Sequence, residues 1–207
     1  MSYNIGECFR ITSDMKHIIR EAQRYGRNKA TIVNHAYIES GEYRRKFDLI
    51  SDNTKLNRIL YHLAKRMLKH RSGTLYEDMY WIDAETLRIV ARETTKNLGR
   101  KVRYTRKTKK RIREYDGLIT IHSHPSSYPP SISDFNSNWA NHYGIGIVCC
   151  HDGTLYVYSS DERIEPRLCD VSMEKYRKHG FSEKESLYKT FVNLQKNYKI
   201  MIKEVVL

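Results

Sequence analysis

The sequence predicts an α/β fold of the α+β kind, in which a central mixed β-sheet is flanked by helices, with extra helices at both ends. Two observations lead to this prediction. Segments with apolar residues at helical spacing occupy both ends of the chain, whereas short runs rich in aromatic and β-branched residues, separated by turn signals, occupy its middle. A length of 207 residues is sufficient for one domain with a substantial core.

Two helices are predicted in the first third of the chain. The first runs from Ser13 to Tyr25, where apolar residues recur at helical spacing and Gly26 is a typical stop. The second runs from Thr54 to His70, has its apolar residues on one face, and follows the capping candidates Asp52 and Asn53. Each helix therefore buries one stripe against the rest of the protein.

The middle of the chain has the pattern of a sheet. Residues 71–93 (RSGTLYEDMYWIDAETLRIVARE) contain two strand-like runs on either side of the turn-like residues 83–86, which predicts a hairpin. Residues 117–121 form a short apolar strand. Residues 144–150 and 154–158 bracket a His-Asp-Gly sequence whose Asp-Gly pair favours a second hairpin.

The C-terminal part is expected to return to helix, because Ser182 and Glu185 have the spacing of a capping box and apolar residues follow at helical spacing. Those apolar residues are Leu187, Phe191, Leu194 and Tyr198. We therefore divide the chain into an N-terminal helical extension (residues 1–70), a central core (residues 71–170) and a C-terminal helical segment (residues 171–207).

The formal net charge of +13 comes mostly from one segment. Arg100 to Arg113 (RKVRYTRKTKKRIR) holds nine basic residues and no acidic one, and without them 28 basic residues face 24 acidic ones. Such a segment is typical of a solvated helix or loop. It is also a candidate surface for an acidic protein, or for a nucleic acid whose affinity would fall steeply with salt.

The sequence has no features of a membrane or disulfide-stabilised protein. It lacks the roughly 18 consecutive apolar residues of a membrane span and the apolar core of a signal peptide, so we expect a cytoplasmic protein without a membrane partner. The cysteines have no CxxC spacing, which argues against both a disulfide framework and a cysteine zinc site. We expect reduced thiols at Cys8, Cys149, Cys150 and Cys169.

The segment HSHPSSYPPSISD is the strongest candidate for a functional site. If the chain is extended at His122 and His124, both imidazoles point to the same face. Pro125 then ends the strand, and Ser131 and Asp134 can begin a helix that faces back toward the histidines. Two imidazoles and a carboxylate leave a fourth zinc position for water, which is typical of a catalytic site. The alternative is that Ser-x-x-Asp only caps a helix and that the histidines are ordinary polar residues.

An upstream Glu, His-x-His-Pro and Ser-x-x-Asp together resemble the motif of the JAMM, or MPN-plus, metalloprotease family. Four segments are similar to bacterial and phage-associated JAB-domain proteins: YIESGEYRRKFDLI, HRSGTLYEDMYWID, PPSISDFNS and CCHDGTLYVY. The resemblance implies a cytidine-deaminase-like MPN/JAB fold, Zn²⁺ bound by His122, His124 and Asp134, and Ser131 as a stabiliser of the oxyanion. Six residues separate His124 from Ser131, where the family usually has seven.

The same resemblance implies a glutamate general base, and Glu77 in TLYEDMYWI matches its position. Such a carboxylate takes a proton from water whose pKa the metal lowers toward about 7. Asp78 replaces Glu77 if the register slips by one residue, and Glu39 and Glu42 lie further upstream. The alternative is that Glu77 is an ordinary carboxylate on the surface of a strand.

The implied activity is hydrolysis of a peptide or isopeptide bond, since relatives cleave ubiquitin-like conjugates or process small sulfur-carrier proteins. The substrate would then be a protein or peptide, and the segment similarity suggests a prophage origin. Two alternatives are a non-catalytic MPN scaffold and a nucleic-acid-associated protein of the RadC type. The chain has no His-Glu-x-x-His, which excludes thermolysin-like proteases, and no Pro-Cys-x-x-Cys, which excludes zinc deaminases.

The remaining histidines lack the spacing of metal ligands, and we expect them to be structural: His17, His35, His62, His70, His142 and His179. The sequence Cys149-Cys150-His151 is interpreted as a buried strand end followed by a turn rather than as a second metal site.

Overall fold

The computed structural model describes residues 29–94, 102 and 104–207. They form a mixed α/β structure in which helices flank a six-stranded mixed sheet, so the prediction of a central mixed sheet flanked by helices is confirmed. Within these ranges no helix combines the length and apolar character that crossing a lipid bilayer requires. The predicted helix from Ser13 to Tyr25 lies outside the described residues, as do Arg100, Lys101 and Arg103 of the basic segment.

Seven α-helices are present in the described ranges, after a 3₁₀ turn at Lys29–Thr31. They are α1 (His35–Glu39), α2 (Gly41–Asp48), α3 (Thr54–Arg71), α4 (Arg106–Ile112), α5 (Ile132–Ala140), α6 (Pro166–Lys178) and α7 (Glu183–Leu194). The strands are β1 (Met79–Ile82), β2 (Ile89–Glu93), β3 (Ile119–His124), β4 (Ile145–Cys150), β5 (Leu155–Ser160) and β6 (Ile200–Glu204).

The strands lie in the order β2-β1-β3-β4-β5-β6. Strands β3 and β4 are parallel, and the other neighbouring pairs are antiparallel. A parallel pair needs a crossover connection, and α5 provides it. The C-terminal ends of β3 and β4 therefore lie side by side at the same end of the sheet. There His124 is paired with Cys150. After β3 the chain continues into α5.

The two faces of the sheet are covered by different helices. Alternate residues of β1 separate to opposite faces: Tyr80 and Ile82 join the core formed with α1, α2 and α3, whereas Met79 and Trp81 pack with Ile112 of α4. A further core, formed with α5, α6 and α7, includes Val148 and Tyr158 of β4 and β5. We call the side of α1–α3 the first face and the side of α4–α7 the second face.

Helix α3 confirms the prediction for its segment and extends it by one residue. The side chain of Asn53 accepts hydrogen bonds from the amides of Lys55 and Leu56, which satisfies two of the free N–H groups at the start of the helix. Its buried apolar residues pack against the first face. They are Leu56, Leu60, Tyr61, Leu63, Ala64, Met67 and Leu68.

Both predicted hairpins are confirmed. Strands β1 and β2 are joined by a turn in which the amide of Asp83 donates to the carbonyl of Arg88, 2.9 Å away. Strands β4 and β5 are joined by the predicted Asp-Gly turn, where Gly153 has a φ of +86°. A Cβ atom at Gly153 would lie 2.4 Å from the ring of Tyr37, so this turn requires glycine for its conformation and for its packing.

The C-terminal segment differs in part from the prediction of helix throughout residues 171–207. Helix α7 has the predicted capping box between Ser182 and Glu185. The chain then forms strand β6, which pairs with β5 and completes the edge of the sheet. The expectation of helix was wrong there. The strand has five residues, and only Ile200 and Ile202 are apolar and buried. So short a pattern cannot be distinguished from the end of a helix.

Candidate metal centre

His122 and His124 lie at the C-terminal end of β3, a strand whose six residues are all buried. Because the strand is extended through both histidines, their side chains point to the same face. Their Nε2 atoms lie 3.0 Å apart, and the residues are only 2% and 8% exposed. The strand therefore holds two imidazole nitrogens side by side in a sheltered position.

Asp134 approaches the histidines from the first turn of α5. Its Oδ1 atom lies 3.6 Å from Nε2 of His122, and its Oδ2 atom lies 3.7 Å from Nε2 of His124. Ser131 caps the helix: its side chain accepts from the amide of Asp134, and its own hydroxyl and amide donate to Oδ2, at 2.7 and 2.6 Å. The capping box thus fixes the carboxylate that faces the histidines.

These three side chains form a group that could hold a metal ion, since their donor atoms all lie within 4.8 Å of one another. Two ligand atoms at about 2.0–2.1 Å from a tetrahedral zinc are separated by about 3.3 Å. The separations of 3.0, 3.6 and 3.7 Å lie on both sides of that value. The two distances from Asp134 are to different carboxylate oxygens, so the group is compact enough for a small divalent cation once the side chains adjust around it.

The electrostatics of the three groups also suit a metal ion. Burial, together with the nearby His124, lowers the pKa of His122 to about 4, although Asp134 opposes this shift. Burial acts against ionisation of Asp134, but the two histidines and the hydrogen bonds from Ser131 prevail, and the pKa of Asp134 is lowered. Near neutral pH the site thus presents the neutral imidazole of His122 and a carboxylate, the forms in which these groups bind metals.

Contacts behind the ligands orient the two rings. The Nδ1–H of His124 donates to the carbonyl of Tyr128, 2.8 Å away, which leaves the lone pair of its Nε2 directed to the site. The ring of His122 meets the ring of Tyr158 edge to face, with centroids 6.3 Å apart. Tyr158 can occupy this position because it lies over Gly146, where a Cβ atom would come within 2.1 Å of the tyrosine ring.

Glu77 lies two residues before Met79, which is the partner of His122 in the register of β1 and β3. Continuing the alternation of β1 places Glu77 on the second face, the face of both histidines. Burial and the negative charge of Asp134 raise the pKa of Glu77 well above its usual value. This electrostatic effect of Asp134, together with the shared face of the sheet, makes Glu77 a candidate for the same site.

Asp78, the alternative base, lies in a different environment on the first face. It is 1% exposed, and its carboxylate accepts from Nε of Arg71 at 2.6 Å and contacts Nδ1 of His70 at 2.7 Å. Its amide donates to the hydroxyl of Ser123, between the two histidines, and its carbonyl accepts from the Ser123 amide. Asp78 thus ties the chain beside Glu77 both to α3 and to β3.

The other sequence candidates lie away from this group. Glu39 is exposed on α1, where it pairs with Lys69, and Glu42 is exposed on α2. Burial raises the pKa of the Cys149 and Cys150 thiols, and both are free. Cys8 lies outside the described residues, as does His17.

Sequence reasoning missed the residues that support the site. His70 was expected to be structural without a named partner, but it contacts Asp78, as Arg71 does. Ser123 and Tyr128 were also overlooked. Only the position of Ser123 could have indicated its role. It lies between the two histidines in the strand, where it can bond to the neighbouring chain segment. Among the described residues, no second group of potential metal ligands accompanies His122, His124 and Asp134.

Comparisons of the chain with protein-family models, with curated proteins and with solved structures gave no match. The functional conclusion therefore depends on the arrangement of these side chains and on the motif they form.

Proposed function

We propose that the protein is a zinc-dependent metallopeptidase or isopeptidase of the JAMM type, built on an MPN/JAB fold. The observation that supports this proposal most strongly is the convergence of the donor atoms of His122, His124 and Asp134 within 4.8 Å, with the charge of Asp134 acting on Glu77. The substrate class is a protein or peptide, and the bond hydrolysed is a peptide or isopeptide bond.

Zinc is the metal that this donor set favours, because two imidazoles and one carboxylate are a common zinc set that leaves a position open to water. When bound, Zn²⁺ supplies Lewis-acid chemistry: it lowers the pKa of a coordinated water toward about 7 and polarises the substrate carbonyl. His122, His124 and Asp134 would hold it, and the hydrogen bond from His124 to the carbonyl of Tyr128 keeps one ligand lone pair in line.

Glu77 is the proton carrier of the proposed reaction. Its carboxylate takes a proton from the attacking water and later delivers it to the leaving amine, which neutralises the nitrogen as the bond to carbon breaks. A raised pKa favours this role because the group must both accept and release a proton near neutral pH. Asp78 is excluded from it by its bonds to Arg71 and His70.

Ser131 holds Asp134 in place through its hydroxyl and its amide. Oxyanion stabilisation, the role that the motif implies, requires the hydroxyl to exchange its bond to Asp134 for one to the substrate. A Ser131→Ala variant therefore combines two effects, and the amide contact that remains keeps Asp134 partly oriented.

The experiment that tests the proposal combines metal analysis with a cleavage screen, using quenched fluorescent peptides and ubiquitin-like conjugates. We expect about one zinc per chain in the wild type. Glu77→Gln keeps the zinc but lowers turnover by about 10²- to 10⁴-fold, because proton transfer is lost while the ligands remain. The matched control is Glu42→Gln, an exposed carboxylate on α2, which should keep both zinc and turnover.

Two results would contradict the proposal. Purified protein that binds no stoichiometric zinc would favour a non-catalytic scaffold. Retained turnover in Glu77→Gln would reject the assigned base even if the metal site were correct.

A further inference from the structure

Helix α4 is fixed firmly to the second face of the sheet. The amide of Thr105 donates to the carboxylate of Glu93 at 2.8 Å, and the Thr105 side chain caps the helix. Thr108 and Ile112 are buried against the sheet, at 6% and 5% exposure. The helix therefore presents a defined surface to solvent, unlike a loose basic tail.

The outward surface of α4 is almost entirely cationic. The exposed basic side chains of the helix and the residue after it are Arg106, Lys107, Lys109, Lys110, Arg111 and Arg113. In the described part of the chain, Arg111 pairs with Glu114 at 2.6 Å, whereas no ion pair is present for the other five. Four unpaired cations on one short helix and a fifth just after it attract an anionic partner, whose charges would pair with them.

This basic surface begins beside the candidate metal centre. Tyr104, one residue before the helix cap, packs edge to face against Trp81 with ring centroids 4.9 Å apart. Its hydroxyl contacts the sulfur of Met79 at 3.7 Å, and Met79 is the register partner of His122. Burial, the neighbouring Tyr143 and the negative charge of Asp134 all raise the pKa of Tyr104.

We propose that α4 is a docking surface for an acidic stretch of the polypeptide substrate, whose bond to be cleaved enters the site formed by His122, His124 and Asp134. This inference rests on the proposed function and adds a substrate class to it. A helix of seven residues is about 10 Å long, which matches about three residues of extended chain. An acidic stretch of about three to six residues is therefore long enough to engage it.

A polypeptide fits this surface better than a nucleic acid does. Binding of single strands generally uses exposed aromatic rings on which bases stack. The aromatic rings beside α4 are already engaged, because Tyr104 packs on Trp81 and Arg111 lies over the ring of Tyr115, 5.2 Å from its centroid. On the C-terminal side of α4, the exposed acidic residues Glu114 and Asp116 follow the basic residues and would repel a phosphate backbone there.

The test is equilibrium binding of a fluorescein-labelled hexaglutamate peptide, followed by fluorescence anisotropy. The triple variant Lys107→Glu, Lys109→Glu, Lys110→Glu should weaken binding by about tenfold or more, and salt should weaken wild-type binding. The matched control reverses three exposed basic residues on α3, Lys55→Glu, Arg58→Glu, Arg66→Glu, with the same change in net charge but on the first face. It should change the affinity by less than about twofold. Thermal melts of both variants check that they fold.

Equal weakening in both triple variants would overturn the inference, since it would show a general charge effect. So would tighter binding of a deoxythymidine oligonucleotide of matching charge than of hexaglutamate. The binding assay does not depend on turnover. If the wild type contains zinc but does not bind hexaglutamate, this inference fails while the proposed function stands. Absence of zinc with α4-dependent peptide binding would instead reject the proposed function alone.

Discussion

Glu77 and Asp78 are neighbours in the chain, yet their carboxylates lie in different surroundings because successive residues of an extended segment face opposite sides. Asp78 is held by Arg71 and His70 on the first face, whereas Glu77 shares the second face with Asp134. The sequence could name both as candidates but could not choose between them. The choice depends on a side chain of α3, and no local pattern predicts that Arg71 reaches Asp78.

The candidate metal-binding group was the part of the site that sequence predicted best. His122, His124 and Asp134 were all named from spacing and from motif resemblance, and the structure brings them together. Period-two alternation and helix capping are local rules, so short spacings were enough to place these three residues. Tyr128 and Ser123 act through a backbone carbonyl and a strand pairing, which depend on tertiary contacts.

At this scale we predict that Asp78→Asn destabilises the protein by about 3 kcal/mol, because it leaves the buried guanidinium of Arg71 without its anionic partner. Turnover should fall as well, through displacement of Glu77, while zinc content is kept. Urea denaturation and the cleavage assay measure the two effects. The control is Glu39→Gln, which breaks an exposed pair with Lys69 and should leave both quantities near the wild-type values. Unchanged stability in Asp78→Asn would show that the pair does not anchor this segment.

At the scale of elements, sequence predicted the long and strongly patterned pieces. Helix α3 and the two hairpins follow from helical spacing, from the Asn53 cap and from an Asp-Gly turn. Helix α6 begins at Pro166, before the predicted helical segment that starts at residue 171, and strand β6 was expected to be helix. A strand at the edge of a sheet is stabilised by its neighbour, here β5, and its own residues carry little of that information.

The packing of β4 against β5 gives a prediction for the metal centre. Gly146 lies opposite Tyr158, whose ring covers it and meets His122. In Gly146→Ala the new methyl group would lie 2.1 Å from a ring carbon, so the tyrosine must move. We expect a loss of about 1–3 kcal/mol in the free energy of unfolding, together with weaker zinc binding, measured by denaturation and by chelator competition.

The control for this prediction is Gly41→Ala, at the start of α2, where an added Cβ atom meets nothing within 4 Å. It should change neither stability nor zinc affinity appreciably. If Gly146→Ala binds zinc as tightly as the wild type does, Tyr158 has no part in holding the His122 ring.

At the scale of the whole molecule, the candidate metal centre joins the end of β3 to the first turn of α5. A ligand that binds the folded state stabilises it, by about 2.7 kcal/mol when its free concentration is a hundred times its Kd. We therefore predict that zinc raises the melting temperature and that a chelator lowers it, measured by differential scanning fluorimetry. His122→Ala should abolish the zinc-dependent shift. His179→Ala, an exposed histidine after α6, should keep it, and a shift in both variants would indicate nonspecific zinc binding.

The distribution of charge is also a property of the whole molecule. The composition alone gave a net charge of +13, and the sequence localised the excess to residues 100–113. The fold adds that the described part of this segment forms a helix on the same face of the sheet as the candidate centre. Composition can suggest an anionic partner, but only tertiary structure places the basic helix on the face of the candidate metal centre.

The identity of the metal ligands is tested most directly by X-ray absorption at the zinc edge, on protein loaded with about one zinc per chain. We predict nitrogen and oxygen neighbours at about 2.0–2.1 Å with the scattering pattern of two imidazoles, and loss of one imidazole in His124→Ala. Sulfur scattering at about 2.3 Å would contradict the account, because it would place Cys149 or Cys150 at the metal in place of the His122, His124 and Asp134 set.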